Sequence, residues 1–295
     1  MRIVSLLPSA TEILHAVGAG GEVVGVTFEC DFPPEARSAR VVSTSALPEG
    51  LSPAEIDAVV RRRIAAGEDL YHLDRDALAG LDPDLVVTQD LCAVCAVAVA
   101  EVDDALAYLG CRASVLTLDP MRLDEVVGSV EEVGAATGRP EEAGRLAASL
   151  HERLAALRRR LEGAPRRRVA VLEWTDPPFA AGHWVPDMVA AAGGTEVLGR
   201  AGERSETVGF DAVAAVAPDV VVVAPCGYRL AGAAGLAEKL VASGTLPPAE
   251  VWAVDADAYV VRPGPRVVDG CEILAGVLHP DRAGPADPAA VVRLA

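Results

Sequence analysis

The sequence predicts an α/β protein of two similar lobes, each a parallel sheet covered by helices, joined by one long helix. Three observations predict this. Short Val-rich runs recur along the chain and are apolar on both faces, as strands buried under helices must be. Helical segments alternate with them, which is the α/β pattern. The same order of elements also occurs twice, on either side of a long amphipathic stretch.

Taken in order, the expected strands are "RIVSLL" (2–7), "EVVGVT" (22–27), "RVVSTS" (40–45), "DLVVTQ" (84–89), "SVLTL" (114–118), "RVAVLEW" (168–174), "DVVVVAP" (219–225) and "EVWAVD" (250–255). After the first strand, Ser9–Ala10–Thr11–Glu12 gives a helix start, with Gly18 and Gly20–Gly21 as its stop. Asp76–Gly80 and Glu101–Gly110 read as further short helices. Residues 51–76 read as an additional helix inserted after a strand. Residues 122–137 and 140–162 are two helical stretches parted at "TGRP", with Pro140 suited to a first helical turn. The second carries acids at its start and arginines at its end, as the helix dipole favours. It is long enough to act as a strut of roughly 30 Å.

The halves on either side of this helix resemble each other. "AVGAGGEVVGV" (16–26) has its counterpart in "VAAAGGTEVLG" (189–199), and "LDPDLVVTQDLC" (81–92) in "VAPDVVVVAPC" (216–226). The expected organisation is a Rossmann-like N-terminal lobe at 1–121, a helical linker at 122–164, a second Rossmann-like lobe at 165–282 and a tail at 283–295.

The formal net charge of −17 argues against a nucleic-acid partner, because binding phosphate backbones requires a basic face. Arg166–Arg167–Arg168 reads as a solvated strand start rather than a polyanion site. No apolar stretch reaches the ~18 residues of a membrane span. In the N-terminal segment, Pro8, Ser9, Thr11 and Glu12 interrupt the apolar run too early for a secretory signal. The expectation is a cytoplasmic protein whose cysteines are thiols, metal ligands or redox groups, or an exported one if the true start lies upstream.

In open α/β sheets, ligands bind beyond the carboxyl ends of the strands. Two lobes built this way imply a ligand cleft between them. The segments following the strands hold most of the chemically distinctive side chains: Phe28, Cys30, Phe32, Cys92, Cys95, Trp174, Phe179, His183, Trp184, Cys226, Tyr228, Tyr259 and Arg262. Aromatics are only 4% of the chain, so their concentration there points to a ligand site.

The blocks "RIVSLLPSATEILHAVGAG", "FECDFPPEA", "LDPDLVVTQ", "DPPFAAGHW" and "RPGPRVVDGCEIL" resemble the cobalamin-binding proteins of bacterial ABC importers. These are class III periplasmic substrate-binding proteins with a helical backbone, and the likeness runs from residue 2 to about 278. It implies a small-molecule binding protein with cobalamin or another corrinoid or metal-chelate ligand held between the lobes. The positions matching the family's ligand loops are Phe28 to Phe32, Thr88 to Leu91, Trp174 to Phe179 and Asp257 to Tyr259. Three features depart from the family: the missing signal peptide, the insertion at 51–76, which argues against docking on an ABC permease, and the cysteines in the loops.

Cys92-x-x-Cys95 with Cys30 and either Cys226 or His183 has the ligand chemistry of a thiolate-bound metal such as zinc or iron. A redox pair and a pair of small packed residues remain as alternatives. The alternative function is therefore a cytoplasmic metal-dependent or redox enzyme using Cys30, Cys92, Cys95 and Cys226. Ser–His–Asp, phosphate-loop and HExxH signatures are absent from the sequence, which favours a binding protein over an enzyme.

Overall fold

The computed structural model describes residues 1–89 and 113–295. It separates into two compact units. Unit 1 comprises Met1–Asp119 and Gly128–Ala148, and unit 2 comprises Pro120–Val127 and Ser149–Ala295.

In unit 1, β1 (Ile3–Ser5) leads into α1 (Pro8–Ala16), followed by β2 (Val23–Thr27) and β3 (Arg40–Ser45). Then come α2 (Pro53–Ala65), β4 (Tyr71–Leu73), α3 (Arg75–Leu81), β5 (Leu85–Thr88) and β6 (Ser114–Thr117). The sheet order is β4-β3-β2-β1-β5-β6. All neighbours are parallel except β4, which pairs antiparallel with β3 at the edge. The expected strands are present. The hydrophobic core joins Val4 and Leu6 of the first βα unit to Val42, Tyr71, Leu78 and Val86.

Helix α1 starts one residue before the expected cap: Pro8 occupies the first turn and Leu7 the cap position. Proline is tolerated there because its missing N–H would have no intrahelical acceptor, and Thr11, one turn on, ties the helix to β1. Its hydroxyl donates to Ser5 Oγ at 2.8 Å. Helix α2 does have a capping box, with Ser52 and Glu55 bonded reciprocally, yet buries none of its residues. The second half of the 51–76 insertion is not helical: Tyr71 and Leu73 face inward and His72 outward on β4.

The chain passes between the units within α4 (Leu123–Ala136) and α5 (Pro140–Arg160). Helix α5 has Glu141 and Glu142 in its first turn and Arg158, Arg159 and Arg160 in its last.

In unit 2, β7 (Arg167–Thr175) turns directly into β8 (Pro178–Ala180), followed by α6 (Val185–Ala191) and β9 (Gly194–Glu196). After β10 (Glu206–Thr207) and α7 (Phe210–Ala215) come β11 (Val220–Val223), α8 (Leu230–Ser243) and β12 (Glu250–Val254). The chain ends through α9 (Ala256–Tyr259), α10 (Val267–Leu278), α11 (Pro280–Ala283) and β13 (Val291–Arg293). The sheet order is β10-β8-β7-β11-β12-β13. Strand β9 pairs parallel with the first residues of β7, and β8 pairs antiparallel with its last. The stretch expected as a tail thus contributes β13, antiparallel to β12. "DPPFAAG", expected as a loop, is a hairpin turn plus β8.

The duplication seen in the sequence has a topological counterpart. The parallel order β2-β1-β5-β6 in unit 1 matches β9-β7-β11-β12 in unit 2. In each unit the next strands lie on one side of the first strand and the later ones on the other, so the switch point lies between β1 and β5, and between β7 and β11.

Candidate functional site

In unit 1 the segment after β2 opens with a turn, closed by the Cys30 N–H donating to the Thr27 carbonyl at 3.0 Å. Phe28 is 43% exposed and Phe32 is 41% exposed, while Cys30 between them is 4% exposed. The Cys30 thiol lies 3.0 Å from Thr11 Oγ1. It anchors the loop to α1, with its sulfur turned away from solvent. The Phe28 ring sits 6.1 Å from the Tyr71 ring. Tyr71 in turn donates its phenol to Glu29 Oε2 at 3.2 Å, so edge strand β4 braces the loop. At the switch point, Ser9 Oγ and Gln89 Oε1 are buried without a hydrogen-bond partner among the described residues. Buried polar atoms are normally paired, so two orphans beside the carboxyl ends of β1 and β5 mark this spot.

In unit 2, Trp174 near the end of β7 pairs across the hairpin with Phe179 and lies edge-on to Tyr228 at 5.8 Å. Its indole donates to the Asp176 carbonyl at 3.1 Å. The loop after β11 carries Cys226, which is half-buried and whose backbone N–H donates to the Glu173 carbonyl at 3.1 Å. The loops after β11 and β12 are tied together by Asp257. Its Oδ1 accepts from the Gly227 N–H at 3.0 Å, and its own N–H donates to the Tyr228 carbonyl at 3.3 Å. Arg262 lies 3.6 Å from the same carboxylate, with side-chain exposures of 14% and 13% for the pair. Tyr259 ends α9, and its position depends on Gly270, where a Cβ would lie 2.1 Å from the Tyr259 carbonyl oxygen.

Two expected site residues face inward. Trp184 is 6% exposed, and its indole donates to the Val260 carbonyl at 2.8 Å. His183 has φ 51, and its backbone is clamped from both sides. Its N–H donates to Glu203 O at 2.6 Å and its carbonyl accepts from Gly202 N–H at 2.9 Å. The His183 Nε2 is buried without a hydrogen-bond partner among the described residues. Burial, aided by the nearby Arg204 guanidinium, pushes the ring's pKa below its ordinary value. Ser205 donates its hydroxyl to the Glu173 carboxylate, a contact between segments far apart in sequence that leaves no sequence signal.

Cys92 and Cys95 lie outside the described residues. Of the remaining expected metal ligands, Cys30 belongs to unit 1, and His183 and Cys226 to unit 2. Among the described residues no group of three or more His, Cys, Asp or Glu side chains is arranged to hold a metal ion.

The family profile described as periplasmic binding protein matches residues 3–247. The chain belongs to the periplasmic binding protein family. An uncharacterized ABC transporter substrate-binding lipoprotein of Bacillus subtilis is 26% identical over 287 residues, covering 95% of this chain and 80% of that protein. A vitamin B12-binding protein of Vibrio cholerae is 23% identical over 281 residues, covering 92% of this chain and 86% of its own length. Among solved structures, the periplasmic vitamin B12-binding protein of Vibrio cholerae superposes with a TM-score of 0.64 at 22% identity, covering 94% of this chain and 96% of that one. A periplasmic heme-binding protein of Pseudomonas aeruginosa reaches 0.72 at 18% identity, covering 100% and 98%. These structural likenesses establish the fold of this family member as a two-domain α/β binding-protein fold.

Proposed function

We propose that this periplasmic binding protein is the substrate-binding component of an ABC importer for a corrinoid or related tetrapyrrole. The carrying observation is the pair of half-exposed phenylalanines, Phe28 and Phe32, on one strand-end segment of a chain that has only 4 phenylalanines. Trp174, Phe179 and Tyr228 form a second aromatic group at the strand ends of unit 2, where Arg262 and Asp257 supply polar contacts. Flat apolar macrocycles are recognised by such surfaces, because aromatic side chains bury large areas with few rotors. The names of the relatives, vitamin B12-binding and heme-binding, support the ligand class.

Those names also include a lipoprotein and periplasmic proteins, which favours an exported placement over the cytoplasmic one expected from the N-terminal residues. An importer role makes an ABC permease the proposed partner. The alternative of a metal-dependent or redox enzyme rests on Cys30, Cys92, Cys95 and Cys226, and the buried Cys30 thiol beside Thr11 gives it no support.

Purified protein titrated with cyanocobalamin and, separately, with haemin tests the proposal through quenching of tryptophan fluorescence and the ligand's absorption bands. Saturable binding of one of them at a single site is expected. Burial of the exposed part of each phenylalanine contributes about 2 kcal/mol at ~25 cal/mol per Å2. Phe28→Ala and Phe32→Ala should therefore each weaken binding by roughly 30-fold. Failure of both ligands to bind would overturn the reading.

A further inference from the structure

At the amino end of β7, opposite the strand-end loops, unit 2 carries a surface pocket of ≈ 440 Å3. Nine residues of β7 separate the two ends, a distance of about 30 Å at ~3.3 Å per residue. The pocket is lined by Arg158 and Arg159 from the end of α5, by Arg166 just before β7, by Glu162 and by the end of α6. In a chain with 43 acidic and 26 basic side chains, three guanidiniums to one carboxylate is a local inversion of charge. Arg166 belonged to a run that reads in sequence as a solvated strand start, and the fold brings two further arginines to it.

Neutralising the negative end of α5 is the ordinary task for arginines in a last helical turn. Here several of the nearby carbonyls already have donors. Leu157 O accepts from Leu161 N–H at 3.1 Å, Arg159 O from Glu162 N–H at 3.3 Å, and Leu161 O from Ala164 N–H at 3.0 Å. Glu162 O takes the Arg282 guanidinium at 2.7 Å. On the α6 side, Ala190 O accepts from Gly193 N–H at 3.2 Å. Arg166 Nη1 is fixed on Gly194 O at 3.0 Å. Gly193 is required in the wall, because a Cβ there would lie 2.8 Å from His279 Nε2. Arg158 and Arg159 have no carboxylate within ion-pair distance among the described residues, so their guanidiniums are available to a solute.

We propose that this pocket binds a phosphate-bearing anion. Guanidinium presents paired N–H donors that match phosphate oxygens, and several converging on one anion outweigh a point charge. The volume suits a small molecule. The Glu162 carboxylate repels negative charge on its own side and so directs the phosphate toward the arginines. The inference rests on residues distant from the proposed tetrapyrrole contacts and stands or falls separately from them.

The test uses the full-length protein and inorganic pyrophosphate, followed by isothermal titration calorimetry and 31P line broadening at low and at physiological ionic strength. Saturable binding is expected, weakening as salt rises because the arginines are exposed. The double variant Arg158→Gln, Arg159→Gln should reduce affinity at least tenfold with an unchanged melting temperature in the absence of pyrophosphate. Arg145→Gln, on the same helix but paired with Glu142 at 3.2 Å, should bind as the parent does. Phosphatidylcholine vesicles containing phosphatidylglycerol distinguish the source of the phosphate. Binding of pyrophosphate alone assigns a soluble anion, and vesicle binding with the same arginine dependence assigns a lipid headgroup. Absence of both, or affinity unchanged in the double variant, overturns the proposal.

Discussion

Glu196 should make the stability of unit 2 fall as pH rises through neutrality. Its carboxylate is buried where β9 joins β7. Oε1 accepts from the backbone N–H groups of Leu198 at 2.9 Å and Gly199 at 3.1 Å, and Oε2 from Val171 N–H at 3.2 Å. Desolvation outweighs these bonds and pushes the pKa from 4.5 up to about 7. A raised pKa means that the folded state favours the neutral acid. The associated stability is fully present below the unfolded value near 4.5 and is lost as pH rises through about 7. The whole change corresponds to about 3 kcal/mol, a large fraction of the stability of an ordinary domain. Glu196→Gln removes the titration but leaves an amide N–H2 facing the Val171 N–H, at a cost of roughly 1–3 kcal/mol at every pH. Trp174, Trp184 and Trp252 all belong to unit 2, so urea unfolding followed by tryptophan fluorescence reports on the relevant unit. The parent should exceed the variant at pH 5 and lose most of that advantage by pH 8.5, at constant ionic strength. Parallel stability profiles for the two proteins across that range would refute the argument, because every other titrating group is common to both.

Three further outcomes are expected. Gly270→Ala places a methyl 2.1 Å from the Tyr259 carbonyl and 2.7 Å from Met188 Cε. The backbone must shift at a cost of roughly 1–3 kcal/mol, visible as a lower melting temperature together with weaker tetrapyrrole binding. Ser52→Ala removes the hydroxyl of the α2 capping box, worth about 1 kcal/mol. Because α2 buries no residue, the loss should appear as faster amide exchange within residues 53–65 and leave the global unfolding midpoint in place. Cys271 is fully buried and its thiol is pushed strongly upward by desolvation, so it should resist iodoacetamide until the protein unfolds. Peptide mass spectrometry after native labelling should find half-buried Cys226 modified before Cys30 and Cys271.

The parallel core was legible because burial on both faces leaves a continuous apolar run. Val220 to Val223 of β11 are all fully buried, and the sequence at that point is four valines. Helix α5 was legible from its terminal charges and from Pro140. The antiparallel edges were not. Strands β4, β8, β10 and β13 are two or three residues long, too short for a period of two to declare itself. Their pairing is set by the neighbouring strand. "DPPFAAG" reads as a strand-end loop, yet its Pro178 occupies the first residue of β8, a place where proline is tolerated.

The candidate site was legible as a neighbourhood, while the direction of each side chain was not. Residue type located Phe28, Cys30 and Phe32 on one segment, and the sequence treated all three as ligand contacts. The turn after β2, closed by the Cys30 N–H on the Thr27 carbonyl at 3.0 Å, leaves the first and third exposed and the second buried. The same distinction separates Trp174, at the end of β7 against Tyr228, from Trp184, whose indole is consumed by Val260. Inward residues act on a ligand only through the loops they anchor. Replacing Cys30 or Trp184 should therefore lower stability and ligand affinity together, whereas replacing Phe28 or Phe32 should lower affinity while stability holds. The separation follows from the local turn geometry and the partners each side chain meets, which composition does not encode.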